Sequence, residues 1–326
     1  MWRKLPPALG ILVILLVSAL GASAQQPAGP PLPSDIRDLG AIMLENSARH
    51  ALRSTATGYT YIIDVVRIDA GAPAADAKLP VVFMTDNDVM GATVPSIVRL
   101  GALTGQLPSM LVVGIGYELD TAPGALPLPL QGAARRAADF TPVHDETYLD
   151  GVRPFAEQAF GVPWPDDAPL GRANDFLGFI DTELKPFLAP RYAADLEDTT
   201  LVGHSLGGLF ALHVLFTSPA SFKRYVATSP SAQYGDGILF REEADWDSQE
   251  ATHLFIGVAS LDVPEIAESV PRLDLQIKQR SRPGLRYAFK RYEGATHESV
   301  FPGAVMDGLR SVFETPLPPY VAPATP

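Results

Sequence analysis

The chain has 326 residues, 47% of them hydrophobic, a formal charge of −12 and no cysteine. That is enough apolar material for one large or two small packed domains, and it excludes a disordered chain. The acidic balance, with no basic patch interleaved with aromatics, excludes nucleic acid as a partner. Six scattered histidines without thiolates give no metal-ligand spacing, so neither a metal nor another cofactor is expected.

In chain order, residues 1–24 read as a signal peptide. Arg3 and Lys4 form a basic start, Leu9 to Leu20 is an apolar run, and Ala22-Ser23-Ala24 fits a small-residue cleavage site. The run is short for a membrane span of ~20 residues, so the mature chain is expected to be periplasmic or secreted and free of the membrane. Cleavage takes the formal charge from −12 to −14, because Arg3 and Lys4 leave with the leader. A core of this size holds together in an oxidising compartment without disulfides. Residues 25–34 are a proline-rich linker and residues 315–326 a proline-rich tail. Between them, residues 35–314 are expected to form one domain.

Within that domain the pattern alternates. A strand around Arg49 to Thr55 pairs with Tyr59 to Ile68 (YTYIIDVVRI), and short apolar runs follow at Pro80 to Met84 and Met110 to Ile115. Continuous apolar runs of this length suit strands buried on both faces. Residues 118–170 are rich in proline, glycine and aspartate, and read as a long loop excursion that shapes a substrate site. Phe176, Leu177, Phe179, Ile180, Leu184, Phe187 and Leu188 recur at helical spacing before Pro190. A strand ending near Leu201-Val202 is followed by a helix over Leu206 to Phe216. Further strands are expected at Tyr225 to Thr228, Leu254 to Val258 and Arg286 to Phe289, and a last helix near Ala304 to Phe313. The order predicts an α/β fold: a mostly parallel sheet covered by helices on both faces, with an antiparallel N-terminal edge.

One stretch carries chemistry. In LVGHSLGGLF, Ser205 lies between Gly203 and Gly207, a G-x-S-x-G spacing that follows a strand and opens a helix. Such a turn lifts a serine hydroxyl clear of the sheet and crowds the positions two residues away, where only glycine fits. A serine becomes a nucleophile when a base takes its proton. His297, in THESV after the last expected strand, occupies the base slot in the order serine, acid, histidine. The acid should follow the preceding strand, where LFIGVASLDVPEI offers Asp262, favoured as nearer the strand end, and Glu265. Either carboxylate could instead cap the helix that Pro264 begins, and a serine–histidine dyad without an acid stays open. The backbone N–H groups of Leu206 and of Asn87, in MTDNDVM, are the expected oxyanion donors. His204 adjoins the nucleophile, and a packing or hydrogen-bonding role suits it better than catalysis.

Taken together, VVFMTDND, VVGIGY, RRAADFTP, NDFLGFIDTELKPFL, GHSLGGLFALHVLF, the SPS at Ser229 to Ser231 and THESV resemble the putative esterase family of α/β-hydrolases. The likeness is to the branch holding esterase D-like and periplasmic siderophore-ester hydrolases, and it runs from about residue 59 to 313. It implies the α/β-hydrolase fold, a serine hydrolase acting on small-molecule esters, and Ser205 and His297 as nucleophile and base. Two positions depart from the family pattern: Asn87 stands where glycine commonly follows the aspartate, and Asp262 where the acid is often glutamate. Siderophore-ester hydrolases favour cationic groups near the pocket for anionic catecholates, which makes Arg135 and Arg136 candidate substrate-binding residues. A salt bridge to Asp139 or anchoring of the loop is the competing use of these arginines. Acyl transfer, peptide cleavage or binding without catalysis would use the same fold.

Overall fold

The computed structural model describes residues 44–71, 77–165, 169–247 and 250–315. The expected signal peptide, the linker and the tail beyond Thr315 lie outside the described residues. One eight-stranded sheet organises the domain, in the order β1-β2-β4-β3-β5-β6-β7-β8. The first strands are β1 (Ser47–Arg53), β2 (Thr60–Ile68), β3 (Leu79–Met84) and β4 (Met110–Tyr117). They are followed by β5 (Ala194–His204), β6 (Arg224–Thr228), β7 (Thr252–Leu261) and β8 (Leu285–Thr296). β2 runs antiparallel to β1 and β4, and the remaining pairs are parallel. This is the α/β-hydrolase sheet with the expected antiparallel N-terminal edge.

Burial explains the strand sequences. Every residue of β4 (MLVVGIGY) and of β6 is buried, as central parallel strands covered on both faces require. The outer strand β1 alternates exposed and half-buried positions, and β8 exposes Arg286, Lys290, Arg291 and Glu293. Charged edges of this kind discourage pairing with another chain.

Helices α2 (Thr93–Leu103) and α10 (Val300–Val312) cover one face, packing Val94, Val98, Phe301 and Val305 against Val82, Val112 and Val226. The other face carries α3 (Leu128–Phe140), α5 (Ala173–Phe179) and α7 (Leu206–Thr217). α7 is buried all round because it lies between the sheet, α3 and α8 (Tyr234–Asp245), which is why its sequence lacks a polar stripe. The helix expected to end before Pro190 runs through α5, a π-helical turn at Ile180–Leu184 and α6 (Lys185–Leu188).

Residues 118–170 correct the expectation of an irregular excursion. Two helices fill much of the segment, α3 and α4 (Glu146–Phe160). Proline near the start of α3 costs no intrahelical hydrogen bond, and Asp145 caps α4 by accepting from the N–H groups of Thr147 and Tyr148. Both signals are compatible with helix, so abundant proline and aspartate did not mean loop here.

α3 is fastened to the sheet by a buried carboxyl. Tyr61 and Tyr117 are paired across β2 and β4, and their hydroxyls converge on Asp139 Oδ2 at 2.7 and 3.2 Å. Burial pushes the Asp139 carboxyl up to about 7, against the pull of these two donors. The folded chain therefore holds this proton more tightly than the unfolded one, and the group's contribution to stability falls as pH rises from about 4 to about 7. Asp139→Asn removes that titration. We expect the gap between wild-type and variant urea midpoints to move in the variant's favour across that interval; a gap independent of pH would contradict the assignment.

Candidate active site

At the carboxyl ends of the parallel strands, β5 turns into α7 through Ser205, whose φ of 58° and ψ of −117° lie in sparsely populated territory. Holding a serine there costs on the order of 1–3 kcal/mol, and neighbouring backbone fixes it. The Ser205 N–H donates to Thr228 O at 3.0 Å, while the Ser205 carbonyl accepts from Leu209 and Ser231 N–H groups. The flanking glycines have a steric cause. A Cβ on Gly203 would run into the Gly207 carbonyl, and one on Gly207 into Thr85 Oγ1 and Asp86 Oδ2.

His297 follows β8, and its Nδ1 lies 2.7 Å from Asp262 Oδ1. Asp262 stands directly after β7; its Oδ1 also accepts from Val263 N–H (2.9 Å), and its Oδ2 from Ser229 Oγ (2.5 Å). A carboxylate with these neighbours only accepts, so Nδ1 carries the imidazole proton and Nε2 is left as the acceptor. Nε2 is buried without a partner among the described residues. Glu265, the other candidate acid, sits in the first turn of α9 (Pro264–Gln279), its Oε2 without a partner among the described residues. The geometry therefore brings Asp262, not Glu265, against the imidazole.

The nucleophile candidate and the imidazole lie at the same strand ends, joined through His204. The His204 ring lies 4.5 Å from that of His297, edge-on to Phe301, with Nδ1 2.9 Å from Thr228 Oγ1. Burial, then the neighbouring His297 and Arg136, holds His204 well below the usual histidine range. It therefore stays neutral beside His297. Ser205 Oγ faces Ser231 Oγ at 3.5 Å and is not hydrogen-bonded to His297; such bonds are commonly long before a substrate is bound. Ser205 is 0% exposed and His297 5%.

The two expected oxyanion donors start helical turns. Leu206 opens α7 and Asn87 opens the short α1 (Asn87–Met90), neither with a side-chain cap. Asp86, in the left-handed region at φ 60°, aims the chain into that turn. The Asn87 side chain is engaged by β2 and β4, donating to Asp64 Oδ2 at 2.8 Å and lying over Gly114, where any Cβ would collide with it. The departure from glycine at 87 is thus accommodated by the glycine at 114.

Arg136 is not placed to hold substrate, which corrects the expectation. Its Nε donates to Asp86 Oδ1 at 2.5 Å, and its Nη2 to Asp86 Oδ2 (3.2 Å) and the His204 carbonyl (3.1 Å). The guanidinium is largely buried and ties the loop after β3 to the Ser205 turn. Its partner is Asp86 rather than Asp139. Arg135 behaves differently: it donates to the Glu118 carbonyl, lies 5.2 Å from the Tyr59 ring centroid and lines a cavity of about 230 Å³ with Tyr59, Asp120 and Gln131. Thr228, Ser229 and Ser231 contact His204, Asp262 and the Ser205 backbone, roles that the bare SPS motif does not reveal.

An imidazole whose one nitrogen is fixed by a carboxylate and whose other is bare can take a proton from a nearby hydroxyl. The roles of the two carboxylates separate by substitution. We expect Asp262→Asn to lower kcat/KM for p-nitrophenyl acetate by about 10³- to 10⁴-fold, and Glu265→Gln to change it by less than about three-fold. Equal losses in both variants would contradict the geometric assignment.

A family model described as putative esterase matches residues 134–294. The ferri-bacillibactin esterase BesA of Bacillus subtilis (strain 168) is 30% identical over 250 residues, covering 73% of this chain and 80% of that protein. A siderophore triacetylfusarinine C esterase of Aspergillus fumigatus is 28% identical over 267 residues, covering 72% and 82% respectively. Among solved structures, the BES protein from Bacillus cereus superposes with a TM-score of 0.69 at 26% identity, covering 85% of this chain and 99% of that one.

Proposed function

The chain belongs to the putative esterase family and is an esterase, and on that premise we propose that it is an exported serine hydrolase that cleaves siderophore-type esters through an acyl-enzyme. The observation that carries the serine mechanism is the His297 ring, held at Nδ1 by Asp262, with Nε2 bare among the described residues, and packed against His204, the residue before a serine in a strained strand-to-helix turn. His297 Nε2 takes the Ser205 proton as Oγ attacks the ester carbonyl. The Leu206 and Asn87 N–H groups receive the oxyanion of the tetrahedral intermediate. His297 then passes its proton to the departing alkoxide, leaving an acyl group on Ser205. Water, deprotonated by the same nitrogen, releases the acid and restores the serine. Throughout, Asp262 holds the imidazole tautomer and stabilises the imidazolium, and neutral His204 adds no opposing charge.

The substrate class follows from the relatives and from Arg135. Proteins named as esterases of ferri-bacillibactin and of triacetylfusarinine C are the curated relatives in question. Arg135 offers a half-buried cation beside an aromatic ring at the same edge of the sheet as Ser205, which suits a planar anionic group on a substrate arm. Export rests on the leader read in residues 1–24.

Three measurements test this. A fluorophosphonate probe should label the mature protein stoichiometrically, and Ser205→Ala should abolish both labelling and ester turnover; labelling that survives the substitution would overturn the assignment. A panel of esters including a catecholate trilactone, run with and without an acceptor alcohol, should yield free acid in both cases, whereas an alkyl ester product would indicate transfer. In the same panel Arg135→Ala should raise KM for anionic esters by about ten-fold with kcat unchanged. An equal rise for neutral esters would remove Arg135 from recognition.

A further inference from the structure

In the sheet order, β6 lies between β5, which delivers Ser205, and β7, which delivers Asp262. The residues that leave the end of β6 are therefore the ones placed to touch both. They read Thr228-Ser229-Pro230-Ser231. On the β5 side, the Thr228 carbonyl accepts from Ser205 N–H, Thr228 Oγ1 meets the His204 ring, and Ser231 N–H donates to the Ser205 carbonyl at 3.1 Å. On the β7 side, Ser229 N–H donates to the Gly257 carbonyl at 2.7 Å and Ser229 Oγ donates to Asp262 Oδ2.

Ser229 pays a backbone penalty for its place. Its φ is 42°, a region where glycine sits without strain and other residues rarely do. It is also 0% exposed, so its hydroxyl serves no solvent contact. The side chain supplies the donor to Asp262 Oδ2, while its oxygen also accepts from the Ala259 N–H at 3.4 Å. The Asp262 side chain is itself 0% exposed, and among the described residues its charge is met by three donors: His297, Val263 N–H and the Ser229 hydroxyl. Two of these share Oδ1. Ser229 alone holds Oδ2, and so resists rotation of the carboxylate away from the imidazole.

We propose that Ser229 is a positioning residue for ester cleavage: its hydroxyl locks the Asp262 carboxylate in the rotation that presents Oδ1 to His297. The proposal rests on the serine-hydrolase reading of Ser205, His297 and Asp262. Ser229 touches neither substrate nor reacting atoms in this role. Its loss loosens the imidazole and lowers the rate of the chemical step, while ground-state binding of the ester is untouched.

The backbone strain supplies the control. Ser229→Gly removes the hydroxyl and suits the positive φ, whereas Ser229→Ala removes it and keeps the strain. Hydrolysis of p-nitrophenyl acetate would be followed in both variants, in wild type and in Ser205→Ala, with melting temperatures measured on the same samples. We expect Ser229→Gly to melt at or above Ser229→Ala, yet both to show kcat about 10- to 100-fold below wild type with KM within about two-fold. A glycine variant with wild-type kcat, or a kcat that follows melting temperature across the two variants, would overturn the proposal while Ser205→Ala stays inactive. Turnover surviving in Ser205→Ala would overturn the hydrolase reading and the proposal with it.

Discussion

The chain must reverse from β5 into α7 within a single residue, and the fold around the site is arranged to hold that reversal. Ser205 takes backbone angles that L-residues avoid. The strain persists because the surroundings leave no relaxed alternative. Gly203 and Gly207 permit the close approach, the loop after β3 packs against Gly207 through Thr85 and Asp86, and Pro230 closes on Gly208. The same crowding that forces glycine at these positions places the first N–H groups of α7 beside the loop that begins α1. The proposed nucleophile and its expected oxyanion donors are thus consequences of one tight turn, not separately installed parts.

Charge is used sparingly to secure this geometry. Arg136 joins Asp86 to the carbonyl that precedes Ser205, so one buried guanidinium spans the two segments whose spacing matters most. Its burial would favour loss of charge, but Asp86 outweighs this and raises it above the ordinary arginine value. Removing one partner from such a pair is costly, typically about 3–5 kcal/mol, because the other is left charged and buried. The network on the outer side, Arg49 to Asp64 to Asn87, anchors the same loop from the sheet. There the burial of Asp64, which would raise its carboxyl, is overcome by hydrogen bonds from Arg49 and Asn87 that lower it.

The sequence was most legible where chemistry and fold share a local signal. Ser205 could be read because its turn demands glycines two residues to either side, and the alternating apolar runs gave the order of the strands. His297 followed from chain order after the last strand. Legibility failed where the answer lies in the direction a side chain points. Arg135 and Arg136 are adjacent in α3, yet neighbouring helical positions face about 100° apart; one lines a surface cavity and the other is buried against the elbow. Asp262 and Glu265 were likewise close in sequence, and only the backbone course after β7 decides which meets the imidazole. Residues 118–170 hide their helices because proline at a helix start and aspartate at a helix cap are also loop signals. The turn at Thr228 to Ser231 was visible as a motif, but its meaning depends on two strands that the sequence holds far apart.

The account stands on Ser205 forming a covalent bond to the acyl half of the substrate. Rapid acid quench of the mature protein turning over p-nitrophenyl acetate, followed by peptide mass mapping, tests this directly. The account predicts a single acetyl adduct on the peptide containing Ser205, accumulating with a burst of p-nitrophenol of about one equivalent. Hydrolysis at full rate with no adduct at Ser205, or with the adduct on another residue, would contradict it.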